Sequence, residues 1–205
     1  MKNINANTLI EWFSKSFDAD IIYLVRHPIP AALSAIKRNW GNMAKDYLES
    51  EKFRRIHLDS GMVDFGWQTL KHGTQLQRYV LEWCLENLYP LQLSKDQPWL
   101  TLSYEELVFR PKEISRLICS RFGLPDSERM YKVVFSPSRT TTQKSKHNIR
   151  KKGPSALVHE WIPELDPTGY AGAGEVLKAF GVWAYMAESP WPHPKLCHFG
   201  PLRDE

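Results

Sequence analysis

A chain of 205 residues with 42% hydrophobic and 12% aromatic content can bury one sizeable core and fits one domain better than two, which excludes a largely disordered protein. Lys and Arg number 27 against 23 Asp and Glu, a net charge of +4 that suits an anionic ligand but is too small to demand nucleic acid. Cys84, Cys119 and Cys197 stand far apart without metal-ligand spacing, so neither a zinc site nor a disulfide framework is expected, and a reducing cytoplasm is the default compartment. The first residues lack the apolar core of a signal peptide, and no stretch approaches the roughly 20 apolar residues that cross a bilayer.

In chain order, Asn7 or Thr8 can cap a first helix whose apolar face carries Leu9, Ile10, Trp12, Phe13 and Phe17, before Asp18 breaks the pattern. The run from Ile21 to Val25 is continuously apolar, as expected of a strand covered on both faces of a parallel sheet, and it ends at Arg26. His27 to Pro30 form a turn, and Pro30 opens a helix that contains Ser34. Residues 37–70 are charged, aromatic and irregular, either a mobile loop region or a set of short helices over a site. An amphipathic helix follows over 75–91 with Trp83 on its apolar side, and a short strand over 99–102 leads into Tyr104. Pro111 opens another helix, ended by Gly123 with Pro125 beyond it. Residues 136–153 read as a polar basic loop, 171–186 as a last helix, and 190–205 as a tail without a pattern. The order of elements implies α/β architecture.

An arginine that closes a buried strand, followed by a turn and a helix, stands where open α/β sheets bind ligands. Its guanidinium stays charged and offers a rigid fork of donors suited to phosphate, and the Ser34 hydroxyl, eight positions on, can add a neutral donor. Spacing alone leaves a second reading open, in which Arg26 pairs with a carboxylate and Ser34 merely packs.

The segment FDADIIYLVRHPIPAALS resembles the second cofactor motif of the sulfotransferase superfamily, with its apolar strand, Arg, Pro-containing turn and Ser eight residues on. WLTLSYEELVFRPKEISRLICSRFGLP is similar to the family's strand, its Tyr-Glu-Asp/Glu-Leu turn and the helix ending in Gly-Leu-Pro. The resemblance implies a P-loop-like α/β fold, a parallel sheet flanked by helices, and 3′-phosphoadenosine 5′-phosphosulfate (PAPS) as cofactor. It assigns the 3′-phosphate to Arg26 and Ser34 and sets Tyr104 against the adenine, a position that a tyrosine capping a core strand also explains. Arg150, Lys151, Lys152 and Gly153, at the end of SRTTTQKSKHNIRKKG, match the basic segment that closes over the 3′-phosphate, although single lysines of that loop also fit a solvated surface. Trp161 comes later than the tryptophan of the cytosolic members, and VHEWIPELDP looks closer to bacterial ones. Trp83 and Asn87 are read as structural.

The family's first strand, loop and helix, which bind the 5′-phosphosulfate, have no counterpart in the sequence, so the expectation is a sulfotransferase domain over 1–189 lacking its N-terminal part, with a tail over 190–205. The usual region of the catalytic base goes with it. His27 is read as structural, and nothing prefers His57, His72 or His147, so no catalytic residue is assigned. The chain is expected to transfer a sulfuryl group to a hydroxyl or amine of a small acceptor lying under residues 37–70. With the first loop absent it would be a poor enzyme alone, calling for a partner chain or oligomer that completes the site. The alternative is a noncatalytic remnant that binds a nucleotide or a polyanion.

Overall fold

The computed structural model describes residues 7–93, 97–133, 153 and 156–203. Two four-residue strands, β1 (Ile22–Val25) and β2 (Leu100–Ser103), pair in parallel with Ile22 opposite Leu100 and Val25 opposite Ser103. Parallel neighbours need a long crossover, and its described elements are all helices. It comprises α2 (Pro28–Lys37), α3 (Ala44–Glu49), α4 (Glu51–His57), α5 (Ser60–His72) and α6 (Gln75–Gln92). After β2 come α7 (Tyr104–Phe109), α8 (Pro111–Phe122), α9 (Ser127–Val133) and α10 (Pro167–Ala179). The architecture is α/β, mostly helical around a small parallel sheet.

Side-chain caps set most of the helix starts. Thr74 and Gln77 form a reciprocal capping box at the head of α6, Asp59 caps α5, Ser50 caps α4, and Asp166 caps α10 ahead of Pro167. Gly123 ends α8 in the left-handed conformation at φ 63°, which a residue without Cβ adopts at no steric cost. The main core gathers around α6, against which α2 and α10 pack. Val80, Leu81 and Leu85 are fully buried there, each contributing about 1.5–3 kcal/mol. A second cluster sets Ile114 and Ile118 of α8 on Leu100 and Leu102 of β2.

Several expectations change. The first helix, α1 (Ile10–Ser16), follows a 3-10 turn without a side-chain cap from Asn7 or Thr8, and only Ile10 of its apolar face is buried. Trp12, Phe13 and Phe17 pack on one another instead, with ring centroids 5.0–5.7 Å apart. β1 alternates: Tyr23 and Val25 are buried against the crossover helices, whereas Ile22 and Leu24 are 43% and 47% exposed. They share a sheet face with Leu100 and Leu102, and α8 covers only the β2 half of it. Residues 37–70 hold three capped or packed helices. The last long helix spans 167–179 rather than 171–186, because Asp166 caps it early and the amides of Gly181 and Val182 bond back to close its end. Residues 192–202 run back along β2, burying Leu196 and Leu202 and ending a hydrogen bond from His198 Nε2 on the Thr101 carbonyl at 2.7 Å.

Candidate functional site

Parallel pairing brings the C-terminal ends of β1 and β2 to one edge, so Arg26 and Tyr104, the next residue of each, emerge as neighbours. The Arg26 guanidinium lies over the Tyr104 ring, 4.7 Å from its centroid. Among the described residues no carboxylate pairs with Arg26. Burial holds the Tyr104 hydroxyl above the ordinary tyrosine value, with Glu105 and Glu160 pushing the same way and Arg26 opposing them. At neutral pH that hydroxyl is therefore a donor.

The backbone behind this pair is fixed by buried polar contacts. Trp83 of α6 donates its indole N–H to the Arg26 carbonyl at 3.1 Å, and Asn87, one turn on, accepts from the Tyr23 hydroxyl at 2.7 Å. The amide of His27 donates to Glu105 Oε1 at 3.0 Å, and the Tyr185 hydroxyl donates to Glu105 Oε2 at 2.8 Å. Glu105 is 2% exposed, and burial raises its carboxyl above the usual range against the pull of those donors. It ties the end of β2 to the end of β1. Its neighbour Glu106, fully buried, accepts from the amides of His198 at 2.9 Å and Phe199 at 2.9 Å.

His27 is structural. Its Nδ1 accepts from the Ile29 amide at 3.2 Å and so caps α2, which leaves the proton on Nε2, donated to the Met186 carbonyl at 3.1 Å. Trp161 stacks on the ring at 4.8 Å, and burial lowers its pKa to about 4. A neutral imidazole with both nitrogens engaged has no free position for a substrate proton. Trp83 and Asn87 likewise act on the frame.

The other sequence-derived residues are more scattered. Ser34 is half-buried in α2, six residues past Pro28, a rise of about 9 Å, and no hydrogen bond joins it to Arg26 or Tyr104. Arg150, Lys151, Lys152 and His147 lie outside the described residues. Gly153, the remaining member of that segment, has φ 70°. His57 packs on Tyr89 at 4.5 Å, in the helical crossover. Sequence reasoning assigned no role to Glu105, Glu106, Tyr185 or Trp161. Adjacent acids directly after an apolar strand were the available signal, since carboxylates in a dry position need donors.

A family model described as "Sulfotransferase family" matches residues 16–128, more than half of the chain, and that span contains β1, the helical crossover, β2 and the Arg26–Tyr104 pair. The chain belongs to the sulfotransferase family. No curated protein and no solved structure matches it. For a sulfotransferase-family chain, the strand-edge arginine and the tyrosine beneath it are the features in which anion chemistry and geometry coincide. Among the described residues of this sulfotransferase-family chain, no helix is long and apolar enough to cross a membrane.

Proposed function

We propose that this protein takes part in transferring a sulfuryl group from PAPS to a hydroxyl or amine of a small acceptor, in the cytoplasm, with residues 1–189 as a partial sulfotransferase domain whose site a partner chain or oligomer completes. The observation that carries the reading is the Arg26 guanidinium, held at a strand edge over Tyr104 with no carboxylate paired to it among the described residues. A fixed cation of this kind calls for an oxyanion, and a phosphate fits its fork of donors. Arg26, Ser34 and the segment Arg150 to Gly153 are assigned to the 3′-phosphate. Tyr104 is assigned to the adenine side, with its ring available to stack and its hydroxyl to donate.

PAPS supplies the activated sulfuryl group. As the acceptor oxygen or nitrogen bonds to sulfur in line, the bond from sulfur to the phosphate oxygen breaks, adenosine 3′,5′-bisphosphate leaves, and the acceptor proton passes to a base. The contribution of Arg26 is to hold the nucleotide through charge. That of Trp83 and Glu105 is to hold the backbone on either side of the Arg26–His27 peptide, so that the guanidinium starts from a fixed point.

Calorimetry of the intact chain with adenosine 3′,5′-bisphosphate and with 5′-AMP tests the reading. The bisphosphate is expected to bind at least about tenfold more tightly than AMP, and Arg26→Ala to remove that preference. Equal binding of the two nucleotides, or none, overturns it. A steep loss of affinity with salt and no nucleotide preference would mark a polyanion binder instead.

A further inference from the structure

Apart from the strand edge, a cavity of about 470 Å³ lies between α3, α5 and α6, in the region where sequence reasoning placed the acceptor. Three cations line it, Lys45, Lys71 and Arg78, and no carboxylate does. Lys45 has an exposed partner in Glu49 at 3.4 Å, whereas Arg78 has its Nε buried with no hydrogen-bond partner. That nitrogen is shut off from solvent, so a ligand meets Arg78 only through the part of its side chain that lines the cavity.

The half-buried acid behind the lining residue Asn42 is already occupied by donors. Glu82 accepts from the Met43 amide at 2.7 Å and from Asn42 Nδ2 at 3.1 Å, and Asn42 also donates to the Arg78 carbonyl at 3.0 Å. Asn42 is thereby a brace between the loop before α3 and α6. The groups left for a ligand are the ring of Trp67, the Gln68 amide and the cations. Gly66 keeps the wall in place, since a Cβ there would meet the Leu48 side chain at 3.0 Å as α5 crosses α3. The same helix serves both regions: Glu82 reaches the cavity's frame and the next residue, Trp83, holds the Arg26 carbonyl.

We infer that this cavity binds a hydroxylated ring compound carrying an oxyanion, carboxylate or sulfate, with the ring against Trp67 and the anion between Lys71 and Arg78. The volume exceeds what an inorganic anion fills and matches a small organic ligand. An aromatic wall beside cations suits a ring with a charged substituent better than a bare ion. The assignment of this compound as acceptor rests on the sulfuryl-transfer reading above; the binding itself does not.

The test is a titration of the full chain by isothermal calorimetry with two acids, methyl glucuronide and 4-hydroxyphenylacetate. Each is compared with its neutral counterpart, methyl glucoside or 4-hydroxyphenylacetamide, and with inorganic sulfate. At least one acid is expected to bind about tenfold more tightly than its counterpart and than sulfate. Arg78→Gln should erase that preference. Lys71→Gln, at an exposed position where folding is not at risk, should reduce it severalfold. Neutral compounds or sulfate binding as tightly as the acids, no binding of any probe, or an undiminished preference in Lys71→Gln and Arg78→Gln would each overturn the inference. Adenosine 3′,5′-bisphosphate is titrated on the same proteins. Its failure to bind while an acid binds would remove the donor reading and leave the anionic-ring site standing.

Discussion

Val25 pairs with Ser103, and the residue after each leaves the sheet on the same side of the molecule, so that the guanidinium of Arg26 rests over the ring of Tyr104 at 4.7 Å. Two segments 78 positions apart in the chain thus meet at one point (104 − 26). Strand register, more than any side-chain attraction, makes the contact, since a cation over a half-buried aromatic ring contributes only about 0.5–2 kcal/mol.

Substituting the arginine separates its charge from its shape. Arg26→Ala should weaken adenosine 3′,5′-bisphosphate binding by roughly 10- to 150-fold, the equivalent of losing a charge-assisted hydrogen bond of about 1.5–3 kcal/mol. Arg26→Lys should fall between, because the charge survives and the two-pronged donor fork does not. Calorimetry at one ionic strength gives both values, and equal losses would show that charge contributes nothing.

Glu105 should matter for folding more than its position beside the site implies. Glu105→Ala leaves the His27 amide buried without an acceptor and the Tyr185 hydroxyl with only the Val25 carbonyl at 3.5 Å, and a loss of about 2–4 kcal/mol is expected in urea unfolding. Tyr185→Phe should cost about 1–2 kcal/mol, and the double variant less than the sum of the two.

Acid should destabilise the protein through His27. Its pKa falls from 6.5 to about 4 on burial, so its contribution is present above pH 6.5 and lost as pH drops toward 4, where the unfolded chain takes up a proton that the folded one excludes. The slope from this group is at most about 1.4 kcal/mol per pH unit. His27→Asn keeps an N-cap acceptor for α2 while removing the titration. Unfolding free energies measured from pH 7 to pH 4 should be flatter in that variant, and an unchanged slope would assign the effect elsewhere.

Glu86 acts in the opposite direction. Burial first, then the neighbouring Glu82, raises its carboxyl from 4.5 to about 7, so its stabilising contribution is complete below pH 4.5 and is lost as pH rises through 7. Glu86→Gln should stabilise the protein at pH 8 by something on the order of 1 kcal/mol after allowance for solvent screening, and change little at pH 4. Thermal melts at the two pH values compare these.

Much of the frame was legible from local signals. The apolar run ending at Arg26, the start of a helix at Pro111 and its stop at Gly123 each state their chemistry within a few residues, and the structure follows them. What escaped depends on distant partners. Ile22 and Leu24 look as buried as Tyr23 by composition, but among the described residues α8 packs on the β2 part of their face and leaves them exposed. Residues 37–70 looked irregular because their helices are short and amphipathic against α6, although Ser50 and Asp59 were readable caps. The partners of Glu105 lie 78 residues before it and 80 after it, distances at which no periodicity speaks.

Glu106 gives the segment after it a particular meaning for comparison between relatives. Its carboxylate holds the amides of His198 and Phe199, and Arg110, one turn later, donates to the carbonyls of Gly200 at 2.8 Å and Pro201 at 3.2 Å. The acid, the arginine and residues 198–201 therefore form one hydrogen-bonded unit. In a homologue whose chain diverges beyond residue 197, the acid at 106 would keep only Arg110, at 3.4 Å, in a dry site, so substitution at that position and rewriting of the distant segment should occur together.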